Sequence, residues 1–337
     1  MATPHATIAI ISIGQMGLGI ASLLKSHNYA ITTNISGRSS ATKDRAESIG
    51  IQLIDTDEEL VASADYVLSI VPPRDAIATA ERVIAALEKQ QQQQQQQKST
   101  EKPASSEQAK RMLYYLDLNA ISPDTVRKIG GMFEERVKEE VRFVDGGIIG
   151  SPPIAPSASP DSSKEAKGSD SPGSDWTRPG VPLSGPHELP SAHLASVLNV
   201  QHVANTIGTA SGLKCCFAAL TKGFTALSLQ SFTTASSLGV LPQLKDYMDQ
   251  YNPHARLKAE RGIVGCTHKA YRWVEEMRQI GECFAGDGGW QQASVFREIA
   301  GLFQELADVV EKKGREGMEH VDGVVGILGN DLQSTKQ

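Results

Sequence analysis

The chain has 337 residues, of which 40% are hydrophobic and 21% are charged, and its formal net charge is −6. This length can bury the cores of two domains, the negative charge argues against a general nucleic-acid-binding protein, and no apolar run reaches the ~20 residues that span a bilayer. The four cysteines lack a C-x-x-C spacing, so neither a zinc site nor a disulfide framework is expected. No secretory signal pattern is present at the N-terminus. We therefore expect a cytoplasmic globular protein without nucleic-acid or membrane partners.

The first segment of the chain predicts a strand, a glycine-containing turn and a helix. Residues 8–13 form an apolar run typical of a buried strand, and the apolar residues of 18–24 recur at helical spacing. The turn reads S-x-G-x-x-G, which is a dinucleotide-binding fingerprint with serine in place of the first glycine. A pyrophosphate would bind at the start of the helix, where free N–H groups point at the anion, although such a turn can also serve packing alone. The cofactor-binding residues predicted here are Ser12, Ile13, Gly14, Gln15, Met16 and Gly17.

The second predicted strand, residues 29–34, is followed by a loop that favours NADP. In NAD-binding proteins of this type an acidic residue at this place holds the ribose 2′-hydroxyl, and none is present here. Arg38 and Ser39 offer a guanidinium and a hydroxyl, which suit a 2′-phosphate. We therefore predict NADP as the cofactor; the alternative is that Arg38 is a solvated loop arginine.

Further strands are predicted at residues 51–54, 64–71, 112–118, 141–145, 181–184 and 202–205. Their alternation with helices predicts a doubly wound, Rossmann-type α/β sheet, in which the carboxyl ends of the strands line the ligand crevice. Val71 and Pro72 end the fourth strand and are therefore candidates to flank the cofactor. Two low-complexity insertions cannot build a core: residues 90–108, which we expect to be disordered or to extend a helix, and residues 154–178, a mobile surface loop.

Beyond residue 208 only helical patterns follow, at residues 210–238, 241–251, 253–264, 267–284 and 291–313. In the first of these, large apolar residues alternate in spacings of four and three, which predicts one long helix with a buried stripe. The stripe comprises Leu213, Phe217, Leu220, Phe224 and Leu227. We therefore predict an NADP-binding Rossmann-type domain over residues 1–208, followed by an all-α substrate and dimerisation domain over residues 209–337.

Four segments, in this order, resemble the β-hydroxyacid dehydrogenase and 6-phosphogluconate dehydrogenase-like superfamily. They are the turn of residues 14–17, Asp117-Leu-Asn-Ala-Ile-Ser-Pro123, Asp145-Gly-Gly-Ile-Ile-Gly-Ser-Pro-Pro153 and Gly208-Thr-Ala-Ser-Gly-Leu-Lys214. The last continues as Ala218-Ala-Leu-Thr-Lys-Gly223, which resembles the branch with an uncharacterised phosphogluconate dehydrogenase C-terminal-like helical domain. The resemblance covers nearly the whole chain apart from the two insertions.

The resemblance implies that Lys214 is the catalytic general acid and base and that Asn119 lies near the nicotinamide ribose. A lysine partly desolvated in a cleft has a pKa lowered toward neutrality, so it can move the proton that accompanies hydride transfer. The alternative for Lys214 is a solvated helix residue. Lys222 points ~80° away from it at 100° per residue, which favours a structural or interfacial role. The predicted substrate-binding residues, with a carboxylate cradle at Gly150 and Ser151, are Gly147, Ile149, Gly150, Ser151 and Thr221.

Two positions depart from the superfamily pattern. Ala218 stands where an asparagine is usual one turn after the lysine, and Thr221, on the same helical face as the lysine, could supply the missing polar contact. Ile149 stands where relatives have serine in the carboxylate-binding turn, and Ser151 could compensate. The C-terminal lysines and arginines that hold a sugar phosphate are not evident, so 6-phosphogluconate decarboxylation is not expected.

These observations predict an NADP-dependent dehydrogenase or reductase that acts on a small hydroxyl or carbonyl compound of β-hydroxyacid type. A homodimer is expected from the superfamily. Ile149 and Ala218 leave open an imine or ketone reductase acting on a secondary metabolite. Ser12 and the missing asparagine leave open a non-catalytic NADP(H)-binding sensor or scaffold. No metal site and no Ser-His-Asp arrangement can be read from the sequence.

Overall fold

The computed structural model describes residues 3–100, 111–156 and 175–334. Residues 101–108 of the first predicted insertion and residues 157–174 of the second lie outside the described residues. The chain divides into two compact units, Met1–Lys214 and Cys215–Gln337. Each unit has a hydrophobic core of its own.

The first unit is built on a single eight-stranded sheet. Its strands are β1 Thr7–Ile11, β2 Ala30–Asn34, β3 Gln52–Ile54, β4 Tyr66–Ser69, β5 Leu113–Asp117, β6 Val141–Gly146, β7 Val181–Ser184 and β8 Val200–Ala204. They lie in the order β3-β2-β1-β4-β5-β6-β7-β8. Neighbours from β3 to β6 are parallel, β7 is antiparallel to β6, and β8 is parallel to β7. The predicted Rossmann-type α/β fold is confirmed, with the strand order reversing between β1 and β4 as it does where doubly wound sheets bind ligands.

Helices cover both faces of this sheet. They are α1 Gln15–Ser26, α2 Ser40–Ser48, α3 Asp57–Ser63, α4 Ala76–Thr100, α5 Pro123–Arg136 and α6 Ala192–Leu198. Side chains alternate along a strand, so Ile8 and Ile10 of β1 pack with residues of α1 and α6, whereas Ala9 and Ile11 pack with residues of α3, α4 and α5. The apolar run that predicted β1 is therefore buried on both faces.

The described ends of both predicted insertions lie in a helix or in hydrogen-bonded backbone pairs. Residues 90–100 continue α4. Ile154 and Thr177 exchange two backbone hydrogen bonds, at 2.9 and 3.0 Å, and the Arg178 guanidinium donates to the carbonyl of Ser196 at 2.6 Å. Trp176 packs against the core on the α1 side of the sheet. Residues 154 and 176–178 are therefore fixed to the sheet unit.

A long helix, α7 Thr209–Ser237, runs through the point of division. The second unit continues with α8 Leu241–Tyr251, α9 Pro253–Cys266, α10 Ala270–Gly286, α11 Val295–Lys313 and α12 Val321–Ser334. Its core contains residues from each of these helices. Among the helices in the described ranges, none is both long enough and apolar enough to cross a membrane.

The buried stripe predicted on α7 is wrong. Leu220 is 75% exposed and Leu227 is 60% exposed, and Leu213 and Phe217 are exposed as well. The buried face instead combines small residues such as Ala218 with Leu229 and Phe232. Large apolar residues occur on both faces of this helix, so hydrophobic spacing alone could not identify the packed one.

Helix α12 was missed because its sequence argues against a helix. Residues 321–334 contain Gly323, Gly326 and Gly329, and each glycine inside a helix costs about 1 kcal/mol relative to alanine. Val321, Val324, Val325 and Leu328 are nevertheless buried on one side. Packing of this stripe into the core of the second unit outweighs the low helix propensity.

Candidate cofactor and catalytic site

The glycine turn between β1 and α1 differs in packing at its two glycines. Ser12 has a φ of 82°, in the left-handed region that favours glycine, at the position where the fingerprint usually begins with glycine. A Cβ on Gly17 would lie 2.1 Å from the Ser12 carbonyl oxygen, so no side chain fits there. A Cβ on Gly14 would meet no protein atom within 4 Å. The turn is therefore closed toward the sheet at Gly17 and open at Gly14.

Helix α1 begins directly at this open position. Gly14 is its N-cap and makes no side-chain capping bond, and the first turn contains no acidic residue. The first N–H groups of a helix have no partner within the helix and carry a partial positive charge. Gln15 is exposed and Met16 is half-buried, while Ile13 is buried. This geometry can bind a pyrophosphate through backbone N–H groups, which is what the predicted cofactor requires.

The loop after β2 exposes the guanidinium-bearing residue Arg38 and the hydroxyl-bearing residue Ser39. Asn34 ends the strand, and its side chain accepts a hydrogen bond from Ser36 N–H at 2.8 Å and donates to Asp57 at 2.6 Å. Arg38 and Ser39 are exposed, and Ser39 is the N-cap of α2. Both residues are placed to meet a ligand that reaches the end of β2.

Asn119 joins the carboxyl ends of β4 and β5. Its side-chain oxygen accepts the N–H of Val71 at 2.7 Å, and its amide nitrogen donates to the hydroxyl of Ser69 at 3.0 Å. The side chain is buried. Asn119 therefore fixes the corner of Val71 and Pro72, and Pro72 is exposed there; contact of Asn119 itself with the nicotinamide ribose stays a prediction.

The turn after β6 contains the predicted carboxylate cradle. Gly147 donates its N–H to the Pro182 carbonyl at 3.1 Å, and Ile149 exchanges two backbone hydrogen bonds with Gly180. Gly150 and Ser151 follow and are exposed. A Cβ on Gly19 of α1 would lie 2.9 Å from the ring of Pro153, so the end of this turn packs against the helix that begins at the glycine turn.

Lys214 contacts the same turn from α7. Its ammonium donates a hydrogen bond to the carbonyl oxygen of Ile148. A Cβ on Gly147 would lie 3.0 Å from the Cβ of Lys214, so the close approach of helix and turn depends on a glycine at position 147. Lys214 is half-buried, and its amine is held by this hydrogen bond.

Thr221 and Lys222, the other two residues of α7 for which the sequence predicted a role, lie in the helical unit. The Thr221 hydroxyl donates to the carbonyls of Phe217 and Ala218, at 3.1 and 3.3 Å, so it is bonded within its own helix. Lys222 is 8% exposed, forms an ion pair with Glu276, and its ammonium lies 5.6 Å from the centre of the Trp273 ring. These contacts agree with the structural role predicted for Lys222.

Two buried carboxylates at the ends of β5 and β6 were not identified from the sequence as functional. Asp117 and Asp145 are partners in the strand register. Burial raises the pKa of Asp117 to about 7, the N–H of Asn119 opposes this shift, and the neighbouring Asp145 adds to it. Burial also raises the pKa of Asp145, and hydrogen bonds from Ser211 and Ser184 oppose that shift. The only signal for this pair in the sequence was that each of two successive predicted strands ends in an aspartate.

The carboxyl ends of β1, β4, β5 and β6 thus carry the glycine turn, the Val71 corner, Asn119 and the Gly147–Ser151 turn with Lys214. Parallel neighbouring strands bring these ends to one edge of the sheet. This edge offers helix N–H groups for a phosphorylated ligand, exposed backbone for a carboxylate, and an amine that can move a proton.

Two family models and one curated protein match parts of the chain. Residues 7–94 match the family described as NADP oxidoreductase coenzyme F420-dependent, and residues 235–306 match a domain of unknown function, DUF1932. A protein of Methanothermus fervidus, described as an uncharacterized 28.5 kDa protein in the 7S RNA 5′ region, is 23% identical over 279 residues. The match covers 81% of this chain and 88% of that protein.

Solved structures share the fold over nearly the whole chain. A conserved hypothetical protein from Sinorhizobium meliloti 1021 is 20% identical, with 96% of each chain covered and a TM-score of 0.58. A 3-hydroxyisobutyrate dehydrogenase from Salmonella typhimurium is 14% identical, with 96% of this chain and 99% of that chain covered and a TM-score of 0.59. These structures confirm the fold that the four sequence segments imply.

Proposed function

We propose that this chain, whose fold and four sequence segments resemble the β-hydroxyacid dehydrogenase and 6-phosphogluconate dehydrogenase-like superfamily, is an NADP-dependent oxidoreductase. Its reaction interconverts a small hydroxyl compound and the corresponding carbonyl, and Lys214 transfers the proton. The observation that carries the proposal is the Lys214 ammonium at the carboxyl end of β6, on the sheet edge that also holds the open glycine turn.

The residues of the glycine turn fit the cofactor. The open backbone at Gly14 and the absence of an acidic residue in the first turn of α1 favour a pyrophosphate. Ser12 already adopts the backbone conformation for which the fingerprint uses glycine. The serine at this position therefore does not prevent the turn from forming. When bound, the nicotinamide supplies or accepts the hydride.

NADP is favoured over NAD by the loop after β2. The exposed Arg38 guanidinium can donate in parallel to two phosphate oxygens, and Ser39 adds a hydroxyl. The first acidic residue after β2 is Asp44. An asparagine at the end of β2, already bonded to Ser36 and Asp57, does not replace the carboxylate that accepts from a ribose 2′-hydroxyl.

Lys214 serves as the general acid and base. A lysine amine can accept the hydroxyl proton when the substrate is oxidised and return it when the carbonyl is reduced. The bond to the Ile148 carbonyl limits the positions that the amine can occupy, which reduces the entropy lost in reaching a reactive geometry.

The Gly147–Ser151 turn suits a substrate carboxylate. The N–H groups of Gly147 and Ile149 are used in bonds to Pro182 and Gly180, so the exposed Gly150 and Ser151 are the residues placed to receive an anion. We assign a β-hydroxyacid-like substrate on this basis.

We also propose that the protein forms a homodimer through α7. Phe217, Leu220 and Leu227 expose a row of large apolar side chains on one helix, and uncovered apolar surface of this kind is typical of an association site. Two-fold symmetric association would bury the same row from both copies.

The decisive experiment combines cofactor titration with a substrate panel. NADPH binding is measured by the quenching of protein fluorescence, and NADPH oxidation is then followed with 3-oxoacids, simple ketones and cyclic imines, with NADP⁺ and 3-hydroxyacids for the reverse reaction. Turnover of the carboxylate-bearing compounds is expected. Turnover of imines alone would point to an imine reductase, and tight NADPH binding without turnover of any compound would point to a sensor.

A further inference from the structure

The carboxylate of Asp145 holds the start of helix α7. The Asp145 side chain accepts hydrogen bonds from the hydroxyl of Ser211 at 2.6 Å, the hydroxyl of Ser184 at 2.7 Å and the N–H of Gly208 at 2.8 Å. Longer contacts come from the N–H groups of Ala210 at 3.2 Å and Ser211 at 3.4 Å. All five contacts are donors, and the side chain is fully buried.

This environment stabilises an ionised carboxylate. The N–H groups of Gly208, Ala210 and Ser211 can only donate, and an anion at the first turn of a helix is stabilised by the helix dipole. The neighbouring Asp117 has one buried oxygen without a partner among the described residues, and its pKa lies near 7. Of the two adjacent carboxyl groups, Asp145 is therefore the one whose hydrogen-bond donors stabilise the charged form more.

The way in which α7 is held differs from that of neighbouring helices. Helices α3, α5 and α6 begin with Thr56, Ser122 and Ser191, each capping its own helix through a hydroxyl. The first turn of α7 is bonded instead to a carboxylate on β6, 63 residues away from Gly208. A local hydroxyl cap stabilises a helix end, whereas a bond to another element also fixes where that end lies relative to that element.

The same strand end contacts α7 a second time. Two residues after Asp145, Gly147 lies against the Cβ of Lys214, and Ile148 accepts the hydrogen bond of the Lys214 ammonium. The carboxyl end of β6 therefore holds α7 both at its first turn and at the lysine.

We propose that Asp145 is a positioning residue for Lys214: by fixing the first turn of α7 to the end of β6, it sets the place from which the amine acts. The assignment of a catalytic role to Lys214 rests on the proposed function, but the position of the amine does not. Asp145 acts through the helix and is not assigned a contact with substrate or cofactor.

The test compares Asp145→Asn and Ser211→Ala with Ser191→Ala. An asparagine keeps the shape of Asp145 but its amide nitrogen cannot accept from the donors around it, and Ser211→Ala removes one donor while it leaves the carboxylate. Ser191→Ala is the matched control because it removes a hydroxyl cap from α6, which carries no predicted site residue. Lysines are reductively methylated with ¹³C, and the Lys214 signal is assigned by its loss in Lys214→Arg and followed by NMR.

Asp145→Asn and Ser211→Ala are expected to shift the Lys214 signal, and Ser191→Ala to leave it in place even where its thermal stability falls. In turnover, Asp145→Asn should lower kcat by about 100-fold, as expected for a small misplacement of a catalytic group, with NADPH affinity unchanged. An unmoved Lys214 signal in both Asp145→Asn and Ser211→Ala would overturn the positioning role. If Asp145→Asn does not fold, Ser211→Ala alone decides by the same readout. If the wild-type protein turns over no substrate, the proposed function fails, while the NMR comparison still decides the role of Asp145.

Discussion

The carbonyl oxygen of Ser12 occupies the space that a side chain on Gly17 would need, since a Cβ there would lie 2.1 Å from this oxygen. Gly14, three residues earlier in the same turn, has no protein atom within 4 Å of its Cβ position. One glycine is thus required by the fold, whereas the other leaves room for a ligand.

Gly14→Ala and Gly17→Ala are therefore expected to fail in different ways. Gly14→Ala should leave the unfolding transition unchanged, because Gly14 has a φ of −76° that alanine adopts readily, yet it should weaken NADPH binding at least about tenfold, equivalent to 1.4 kcal/mol. Gly17→Ala should lower the free energy of unfolding by about 2 kcal/mol, since overpacking typically costs 1–3 kcal/mol. Urea unfolding and fluorescence titration measure the two effects. Full NADPH affinity in a folded Gly14→Ala variant would contradict the assignment of this turn.

Removal of the guanidinium at position 38 should change the affinity for NADPH but not the affinity for NADH. We expect Arg38→Ala to weaken NADPH binding by about 10- to 100-fold, because hydrogen bonds to charged groups contribute about 1.5–3 kcal/mol, and to leave NADH binding unchanged. Arg45→Ala is the control for a general loss of positive charge, since the Arg45 guanidinium is bonded to Thr42 on α2. Two outcomes would count against a 2′-phosphate site. Either Arg38→Ala loses as much affinity for NADH as for NADPH, or Arg45→Ala loses as much affinity for NADPH as Arg38→Ala does.

The two lysines of α7 provide a matched pair for the catalytic assignment. Lys214→Met should lower kcat by about 100- to 10,000-fold, the usual contribution of general acid–base catalysis, with little change in NADPH affinity or thermal stability. Lys222→Met leaves Glu276 without its ion-pair partner, so it should destabilise the protein by about 3 kcal/mol while the remaining folded protein keeps most of its kcat. Steady-state kinetics and thermal unfolding are measured on both variants. Unchanged kcat in Lys214→Met would show that another group moves the proton.

The buried Asp117 predicts a stability that falls as pH rises. Its pKa is raised from 3.8 to about 7 in the folded protein, so between these values the folded state binds a proton that the unfolded state has released. The free energy of unfolding therefore decreases from about pH 4 to about pH 7, by at most about 4 kcal/mol at 1.36 kcal/mol per pKa unit. Asp117→Asn should reduce this decrease, and the exposed Asp44→Asn should not. Urea unfolding at pH 5 and pH 8 measures this change in the free energy of unfolding. If Asp117→Asn and the wild type show the same pH dependence, the change belongs to other groups.

The sheet and the glycine turn could be predicted because their signals are local. Apolar runs predicted β1 and β4 within a few residues of their ends, and the spacing of Ser12, Gly14 and Gly17 indicated the turn without any knowledge of the rest of the chain. The network at Asp145 could not be predicted in this way, because its partners lie 39 to 66 residues away in the sequence and depend on how β6, β7 and α7 meet.

In the helical unit, the sequence predicted a helix correctly but not the face of the helix that is buried. Helix α7 was predicted from its spacing, but its buried face was assigned to the larger side chains, whereas Ala218 and other small residues form much of the packed face. The large apolar side chains of α7 are therefore exposed and available for association.

A second copy of the chain is the occupant that we propose for this exposed row, and Leu220, at 75% exposed, is its most accessible member. In Leu220→Lys a charge would enter the centre of the apolar contact, where an unpaired buried charge is strongly unfavourable, so the dimer should dissociate at concentrations where the wild type stays associated. Ile77→Lys, an exposed apolar residue on α4, controls for the added charge. Light scattering coupled to size-exclusion chromatography measures the mass of each. A wild-type monomer across the micromolar range, or a dimer that survives Leu220→Lys, would exclude α7 as the interface.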